Sequence, residues 1–323
     1  MSGEGIDGLH NTMQKSLLDD LKKFILIHSE HSKFCLYSDY CLEDNEKHNK
    51  VASFTISPAS IAFPEEKEWI SNSLQTDIKK SRNISEKGVE LLTNNNFFHI
   101  NFVIKETTGV FYQKDKTSQD VALLGINLII EMISKWIRNQ PNGKEKFIEQ
   151  KNKFLYWEKE LKKKSANLKL AKQILLISML ASYIAYLLTV NANATDVVWF
   201  SDRDKIVNSY GNIAFDLFDI NHFSMCEKFG AIEPYSQIGI VTSDSEPKNM
   251  WFDHLVRIPD YLAGTLASWD IKNNTVQKTK HSDILQKVFS ENDFCAIINV
   301  DISRESYKFS RQTVSTLTNK VRL

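Results

Sequence analysis

Acidic side chains follow two of the strands that the hydrophobic pattern predicts, and they are the first candidates for chemistry in this sequence. Asp39 ends the apolar segment that begins at Phe34, and Asp202 ends the segment that begins at Asp196. If these strands pair in one sheet, the two carboxylates emerge beside each other, because neighbouring strands lie only about 4.8 Å apart. Asp204 is the reserve candidate in place of Asp202 if the strand that begins at Asp196 ends two residues later.

Two further carboxylates complete a candidate cluster. Asp260 is predicted in the first turn of a helix that starts at Ile258, and Glu86 lies in a polar junction before the third strand. Three or four carboxylates at one point repel each other, and a divalent cation neutralises them. The set therefore predicts a Mg²⁺ or Mn²⁺ site with Asp39, Glu86, Asp202 and Asp260 as ligands. Paired ions of this kind hydrolyse phosphodiesters.

Each of these acids also has an ordinary structural interpretation. An aspartate after a strand is a common turn residue, and an acid at a helix N-terminus is stabilised by the helix dipole. Taken singly, each residue fits the structural role better. Only their joint placement favours a catalytic metal site.

The elements that would position these residues are predicted from hydrophobic periodicity. Strands are predicted at residues 34–37, 51–56, 98–104, 196–200 and 237–242, with a late extra strand at 295–300. Helices are predicted at residues 12–29, 64–80, 117–138, 174–190 and 258–267. The first two strands are predicted to form a hairpin with a charged loop. The order is neither a regular βαβ alternation nor all-helical, which favours a mixed sheet with helices on its faces.

Composition places the chain among globular proteins. Of its residues 42% are hydrophobic, and 40 Lys and Arg balance 40 Asp and Glu, which excludes a histone-like polycation. The four cysteines have no CxxC spacing, so buried thiols in a reducing compartment are preferred to a zinc site. The N-terminus has no signal-peptide pattern, and a cytoplasmic location is expected.

One uncharged segment, residues 174–190, nearly reaches the length of a membrane span. Polar residues recur along it at helical spacing: Ser178, Ser182, Tyr186 and Thr189. This stripe favours a helix buried against a sheet, and no membrane association is expected. Peripheral attachment to a membrane through this helix remains a weaker alternative.

A basic segment at residues 144–172 contains ten lysines and four glutamates, a local charge of plus six. The lysines are Lys144, Lys146, Lys151, Lys153, Lys159, Lys162, Lys163, Lys164, Lys169 and Lys172. Interleaved aromatic residues would allow such a face to follow a phosphate backbone, which makes nucleic acid a candidate partner. The preferred interpretation is a solvated helix, because Phe147, Phe154 and Trp157 recur at spacings typical of packing.

Four short motifs resemble the bacterial domain of unknown function 3800 family, a member of the ribonuclease H-like superfamily. They are Leu36-Tyr37-Ser38-Asp39, Ser85-Glu86-Lys87-Gly88-Val89, Val198-Trp199-Phe200-Ser201-Asp202, and Ile258-Pro259-Asp260-Tyr261-Leu262-Ala263-Gly264. The resemblance implies a ribonuclease H-like α/β fold with a mixed five-stranded sheet flanked by helices. It also implies metal-dependent cleavage or transfer of phosphodiesters.

The resemblance divides the chain into an N-terminal helix at residues 1–30, a ribonuclease H-like domain at 31–290 with a helical insertion at about 118–190, and a C-terminal extension at 291–323. Two positions depart from the family pattern. Tyr40-Cys41-Leu42 follows the first aspartate in place of Glu-Ser-Gly, and Pro259 precedes the last one. The alternative is therefore an inactive relative that serves as an interaction module through its long helices.

Overall fold

The computed structural model describes residues 3–59, 63–74, 76–139, 143–241 and 251–315. Within these residues seven strands form one sheet: β1 (Lys33–Cys41), β2 (Lys50–Pro58), β3 (Phe98–Glu106), β4 (Asp196–Ser201), β5 (Gln237–Val241), β6 (Cys295–Ile302) and β7 (Tyr307–Gln312). Their order across the sheet is β5-β4-β1-β2-β3-β6-β7.

The sheet is mixed, as predicted. β1, β2 and β3 are consecutive antiparallel strands, so the predicted hairpin is confirmed. β4 runs parallel to β1 and β5 parallel to β4, while β6 runs parallel to β3 and β7 antiparallel to β6. The prediction of an α/β protein is confirmed, but the expected count of five strands is wrong. β6 and β7 extend the sheet because the outer edge of β3 finds its partner almost two hundred residues further along the chain, and no local pattern reveals such a pairing.

The helices of the described residues are α1 (Gly3–Ser16), α2 (Leu18–Ile27), α3 (Phe63–Ser73), α4 (Glu86–Leu92), α5 (Ser118–Asn139), α6 (Lys144–Leu161), α7 (Leu168–Asn191), α8 (Lys205–Asn208), α9 (Ile213–Phe229), α10 (Asp253–Ser268) and α11 (Thr279–Ile284). A π-helical turn, Leu285–Phe289, continues α11. Thus α5, α6 and α7 lie between β3 and β4 in sequence. The first thirty residues contain two helices rather than one, interrupted at Leu17.

Each face of the sheet carries its own hydrophobic core, because side chains alternate along a strand. Phe34 and Leu36 of β1 belong to the core that includes α7, whereas Cys35 and Tyr37 belong to the core that includes α10. α10 packs across β1 and β2 on this second face. The residues of β1 that continue the series from Cys35 and Tyr37 therefore point to the side of α10.

The apolar helix α7 is the core helix of the first face. It is long and apolar enough to cross a membrane, with a mean hydropathy of 1.9 over its most apolar stretch, but 83% of that stretch is buried within the fold. Ser178 and Ser182 satisfy their hydroxyls within the protein, by donating to the carbonyls of Ile174 and Phe218. The predicted polar stripe is thus used inside the protein core.

Two boundaries differ from prediction and change the placement of the acids. β1 continues to Cys41, so Asp39 lies within the strand rather than after it. α10 begins at Asp253, so Asp260 lies in the middle of the helix and not in its first turn. Pro259 lies inside this helix, where it removes one backbone hydrogen bond. Burial of Leu255, Val256 and Ile258 extends the helix on the N-terminal side of the proline regardless.

Candidate functional site

The strand pairing of β1 with β4 brings Asp39 and Asp202 together. The two strands are parallel with Ser38 opposite Ser201, and the amide of Asp202 donates a hydrogen bond to the carbonyl of Ser38 at 3.3 Å. Asp39 directly follows Ser38 and Asp202 directly follows Ser201. Both follow by two positions an aromatic residue, Tyr37 or Phe200, that belongs to the core of α10. Since side chains alternate, both carboxylates face the side of α10.

Asp260 approaches the same point from α10. Its Oδ2 accepts the backbone N–H of Ile78 at 2.9 Å, which fixes the orientation of the carboxylate. Ile78 belongs to the loop at residues 76–81 that follows α3. Asp260 is therefore held between the sheet and this loop by a hydrogen bond that leaves its second oxygen for other partners.

A cavity of about 480 Å³ opens where these elements meet. Six aspartates line it: Asp39, Asp77, Asp202, Asp204, Asp253 and Asp260. Six basic residues line it as well: Lys47, Lys79, Arg203, Arg257, Lys278 and Lys280. Asp39, Asp202 and Asp260 are each partly exposed, so the cavity is open to solvent and to a ligand. Acids and bases together can bind a cation and an anionic substrate side by side.

Burial and mutual repulsion perturb the carboxylates of the cavity. Burial raises the pKa of Asp39 well above its ordinary value, and the neighbouring charges of Asp260 and Asp202 raise it further. Burial raises the pKa of Asp260 to about 6, with Asp77 and Asp202 adding to the effect and the Ile78 amide opposing it. Burial likewise raises the pKa of Asp202, and its largest opposing interaction is a hydrogen bond from the Arg203 amide. Negative charge at this point is costly, and a bound cation would relieve the cost.

Asp204 has a clear local role beside its place in the cavity. Its Oδ1 accepts the backbone N–H of Ile206 at 2.7 Å and caps the short helix α8. Burial raises the pKa of Asp204 all the same. The residue predicted as a reserve ligand thus lies at the site and also serves as a helix cap.

Glu86 is not brought to this cavity. It is the exposed first residue of α4, directly after Ser85, whose hydroxyl accepts the amide of Gly88 at 3.0 Å. α4 packs against α3 and the π-helical turn, and Glu86 is not among the residues that line the cavity. The acid has the position that the helix dipole favours, which is the structural interpretation.

The loop at residues 76–81 supplies groups that sequence reasoning missed. Asp77 lines the cavity, and its charge raises the pKa of both Asp202 and Asp260. The loop is held by the buried side chain of Lys280, which donates to the carbonyls of Ile78 and, at 2.5 Å, Ser81. No local signal marks this arrangement, because the sequence pattern predicts helix up to residue 80.

The donor set suits a hard divalent cation. Carboxylate oxygens are the ligands that Mg²⁺ and Mn²⁺ prefer. Among the described residues that line the cavity there is one cysteine, Cys41, and one histidine, His281, too few to favour a softer metal. No three of its carboxylates lie with ligand atoms within 4.8 Å of one another. Like charges repel, and the carboxylates would have to draw closer around an ion.

Acids from outside the basic segment at residues 144–172 neutralise about half of its charge. Ion pairs join Lys146 to Asp219, Lys153 to Asp216, Lys162 to Glu158, Lys163 to Glu160 and Lys169 to Glu43. Phe154 and Trp157 are fully buried, as their helical spacing predicts. The segment therefore packs as a surface helix with a modest remaining positive charge.

Comparison of the chain with protein families, with curated proteins and with solved structures finds no match. The case for a function accordingly rests on the sheet order and on the geometry of the cavity.

Proposed function

We propose that this protein is a metal-dependent nuclease, or a related phosphodiester-processing enzyme, of the ribonuclease H-like kind. The observation that carries the proposal is the convergence of Asp39, Asp202 and Asp260 on one cavity. The three residues come from β1, the end of β4 and the middle of α10, which are distant in sequence. A turn preference accounts for Asp202 after β4, but Asp39 lies within β1 and Asp260 in the middle of α10, where neither capping nor a turn explains an acid that lines this cavity.

The sheet order supports the same proposal. The contiguous strands β5-β4-β1-β2-β3 combine an antiparallel β1-β2-β3 meander with parallel β1, β4 and β5. This is the arrangement expected of a ribonuclease H-like core, in which acids on the first and fourth strands lie side by side. The helices between β3 and β4 and the strands β6 and β7 would be additions to that core. Membership in the domain of unknown function 3800 family is part of this proposal.

The residues of the cavity divide the chemical work between them. Asp39, Asp202 and Asp260 would hold Mg²⁺ or Mn²⁺, with Asp77 and Asp204 in reach as further carboxylates. A bound metal pair would activate the attacking water and stabilise the leaving oxygen. Basic groups on the cavity wall, among them Lys47, Lys79 and Lys278, would bind the phosphates on either side of the scissile bond through charge-assisted hydrogen bonds.

The test is a cleavage assay with labelled single-stranded and duplex DNA and RNA, in Mg²⁺, in Mn²⁺ and in EDTA. We expect metal-dependent cleavage by the wild-type chain and only background cleavage by Asp39→Asn and Asp202→Asn. Asp196→Asn is the matched control, because Asp196 lies at the opposite end of β4 and pairs with Lys33 at 3.3 Å. Cleavage at the wild-type rate by both site variants would contradict the proposal.

A second candidate, an inactive interaction module, is favoured by one surface feature. α5 exposes Leu124 and Leu128, which are 42% and 66% accessible, beside the half-exposed Tyr112. Exposed apolar side chains of this kind suit contact with a partner. A thermal melt with and without millimolar Mn²⁺ separates the candidates, since a bound ion stabilises the folded state by mass action. An unchanged melting temperature would favour the interaction module.

A further inference from the structure

A second group of metal-ligating side chains lies at the other end of β1. His28, Glu30 and His31 occupy the turn between α2 and β1, whereas the carboxylate cavity lies near the C-terminal end of that strand. The rise of a strand, about 3.3 Å per residue, places roughly 20 Å between the turn and Asp39. The two sites are therefore physically separate.

The turn holds three ligand atoms at metal-binding distances. One ligand atom each of His28, Glu30 and His31 lies within 4.8 Å of the others, and no other such trio occurs in the described part of the chain. The amide of His31 donates to the carbonyl of His28 at 3.0 Å, which closes the turn and places the two rings 6.1 Å apart. His31 Nε2 lies 3.2 Å from Glu30 Oε1. Zn–ligand bonds of about 2.0–2.1 Å place neighbouring ligand atoms of a tetrahedral site about 3.3 Å apart, close to this separation.

The ring of His28 is held as metal-ligating histidines usually are. Its Nε2 lies 2.8 Å from the carbonyl oxygen of Asn95. A carbonyl only accepts, so Nε2 carries the proton and Nδ1 keeps its lone pair for a cation. The ring is buried, with 7% of the residue exposed, and packs against Phe24 at a centroid distance of 4.8 Å. The His28 ring is therefore already ordered before an ion binds.

The surroundings leave room for an ion and offer further oxygen ligands. The trio lines a cavity of about 510 Å³ together with Glu65 and Glu66 of α3. A fourth ligand can therefore be a water or one of these carboxylates. Two imidazoles with carboxylate oxygens are a ligand set for Zn²⁺ and its neighbours Ni²⁺ and Cu²⁺, and they disfavour Mg²⁺.

We propose that His28, Glu30 and His31 form a transition-metal site that takes Zn²⁺, independent of the carboxylate cavity. The ion cross-links the three side chains of the turn before β1, and the His28–Asn95 hydrogen bond connects this turn to the loop before β3. Zn²⁺ at this place stabilises the end of the sheet opposite the proposed active site.

The experiment is isothermal titration of the full chain with Zn²⁺ in excess Mg²⁺, which is added to compete for the carboxylate cavity. We expect one Zn²⁺ per chain and at least a tenfold weaker affinity in His31→Gln, whose side chain is partly exposed, so that glutamine fits without repacking the core. His28→Gln should weaken binding as much or more. His48→Gln, at an exposed histidine of the β1–β2 loop, is the matched control and should bind as the wild type does.

Asp260→Asn distinguishes this site from the proposed active site. Zn²⁺ binding unchanged in Asp260→Asn and lost in His31→Gln supports the histidine site, whatever the outcome of the nuclease assay. Zn²⁺ binding equal to wild type in both histidine variants overturns the proposal. Binding lost in Asp260→Asn and retained in His31→Gln overturns it as well, because the ion would then lie in the carboxylate cavity. Co²⁺ absorption in the visible range gives a second, spectroscopic measure of tetrahedral nitrogen and oxygen ligation.

Discussion

Asp260→Asn should stabilise the metal-free protein, although it removes a proposed metal ligand. Burial raises the pKa of Asp260 to about 6 from an ordinary 3.8, so the folded state resists ionisation of this group. Two pKa units correspond to about 3 kcal/mol. Because the side chain is partly exposed, solvent screening reduces the expected gain to about 1–2 kcal/mol. Asparagine keeps an oxygen for the Ile78 amide, which holds the carboxylate at 2.9 Å in the wild type.

The pH dependence of this effect has a definite sign. The folded-state pKa of Asp260 lies above its unfolded value, so the folded chain binds more protons between pH 3.8 and about 6. The stabilising contribution of the protonated group is complete below that window and is lost as the pH rises through it. The advantage of Asp260→Asn over the wild type should therefore be full at pH 8 and about half as large at pH 5.

Urea unfolding in EDTA at pH 8 and pH 5, followed by the same measurement with Mn²⁺, tests this reasoning. Mn²⁺ at about 100 times its dissociation constant should stabilise the wild type by about 2.7 kcal/mol and the variant far less. Asp196→Asn serves as the control and should follow the wild type in every condition. An Asp260→Asn protein that is less stable than wild type in EDTA at pH 8 would refute the electrostatic argument. Equal Mn²⁺ stabilisation of both proteins would refute its role as a ligand.

Three further predictions concern the supports of the fold. Burial lowers the pKa of His222 to about 4, so protonation of this histidine favours the unfolded state. In urea titrations the free energy of unfolding of the wild type should fall by about 2–3 kcal/mol between pH 7 and pH 4.5. His222→Gln, measured in parallel, should not show this loss. Lys280→Met should lower the free energy of unfolding by about 1–3 kcal/mol in the same assay and weaken Mn²⁺ binding, because the carbonyls of Ile78 and Ser81 lose their buried donor. The control Lys272→Met, at an exposed site, should change neither quantity. Gly264→Ala should lower the melting temperature despite the better helix propensity of alanine, because the new Cβ would lie 2.8 Å from Ile78 Cγ2. A higher melting temperature would show that the loop at residues 76–81 can shift to make room for the methyl group.

Local pattern in the sequence was enough to locate most elements. Apolar runs predicted the positions of the first five strands and of the late strand β6, because alternation and β-propensity act over a few neighbouring residues. The polar stripe of the apolar segment 174–190 predicted a buried helix, and the structure confirms it. Asp39, Asp202 and Asp260 were singled out because acids next to apolar segments are visible without any tertiary information.

Boundaries that depend on packing were less well predicted. Asp39 and Asp260 were placed at the ends of elements, yet β1 and α10 extend past them. Both extensions follow from contacts with distant residues, since β1 pairs with β2 as far as Cys41 and α10 buries its N-terminal half in the core. Propensity cannot report such contacts, and tertiary packing overrides it.

Local patterns along the chain were sufficient to give the kinds of elements, their approximate order and three of the acids that meet in the cavity. Tertiary packing places Asp77 at that cavity and leaves Glu86 outside it, because the position of each depends on how a loop and a short helix pack against α10 and the π-helical turn. It also decided that β6 and β7 join the sheet, which depends on hydrogen bonds to an edge strand far away in sequence. Contacts of this range carry no periodic signal, so they become visible only when the chain is folded.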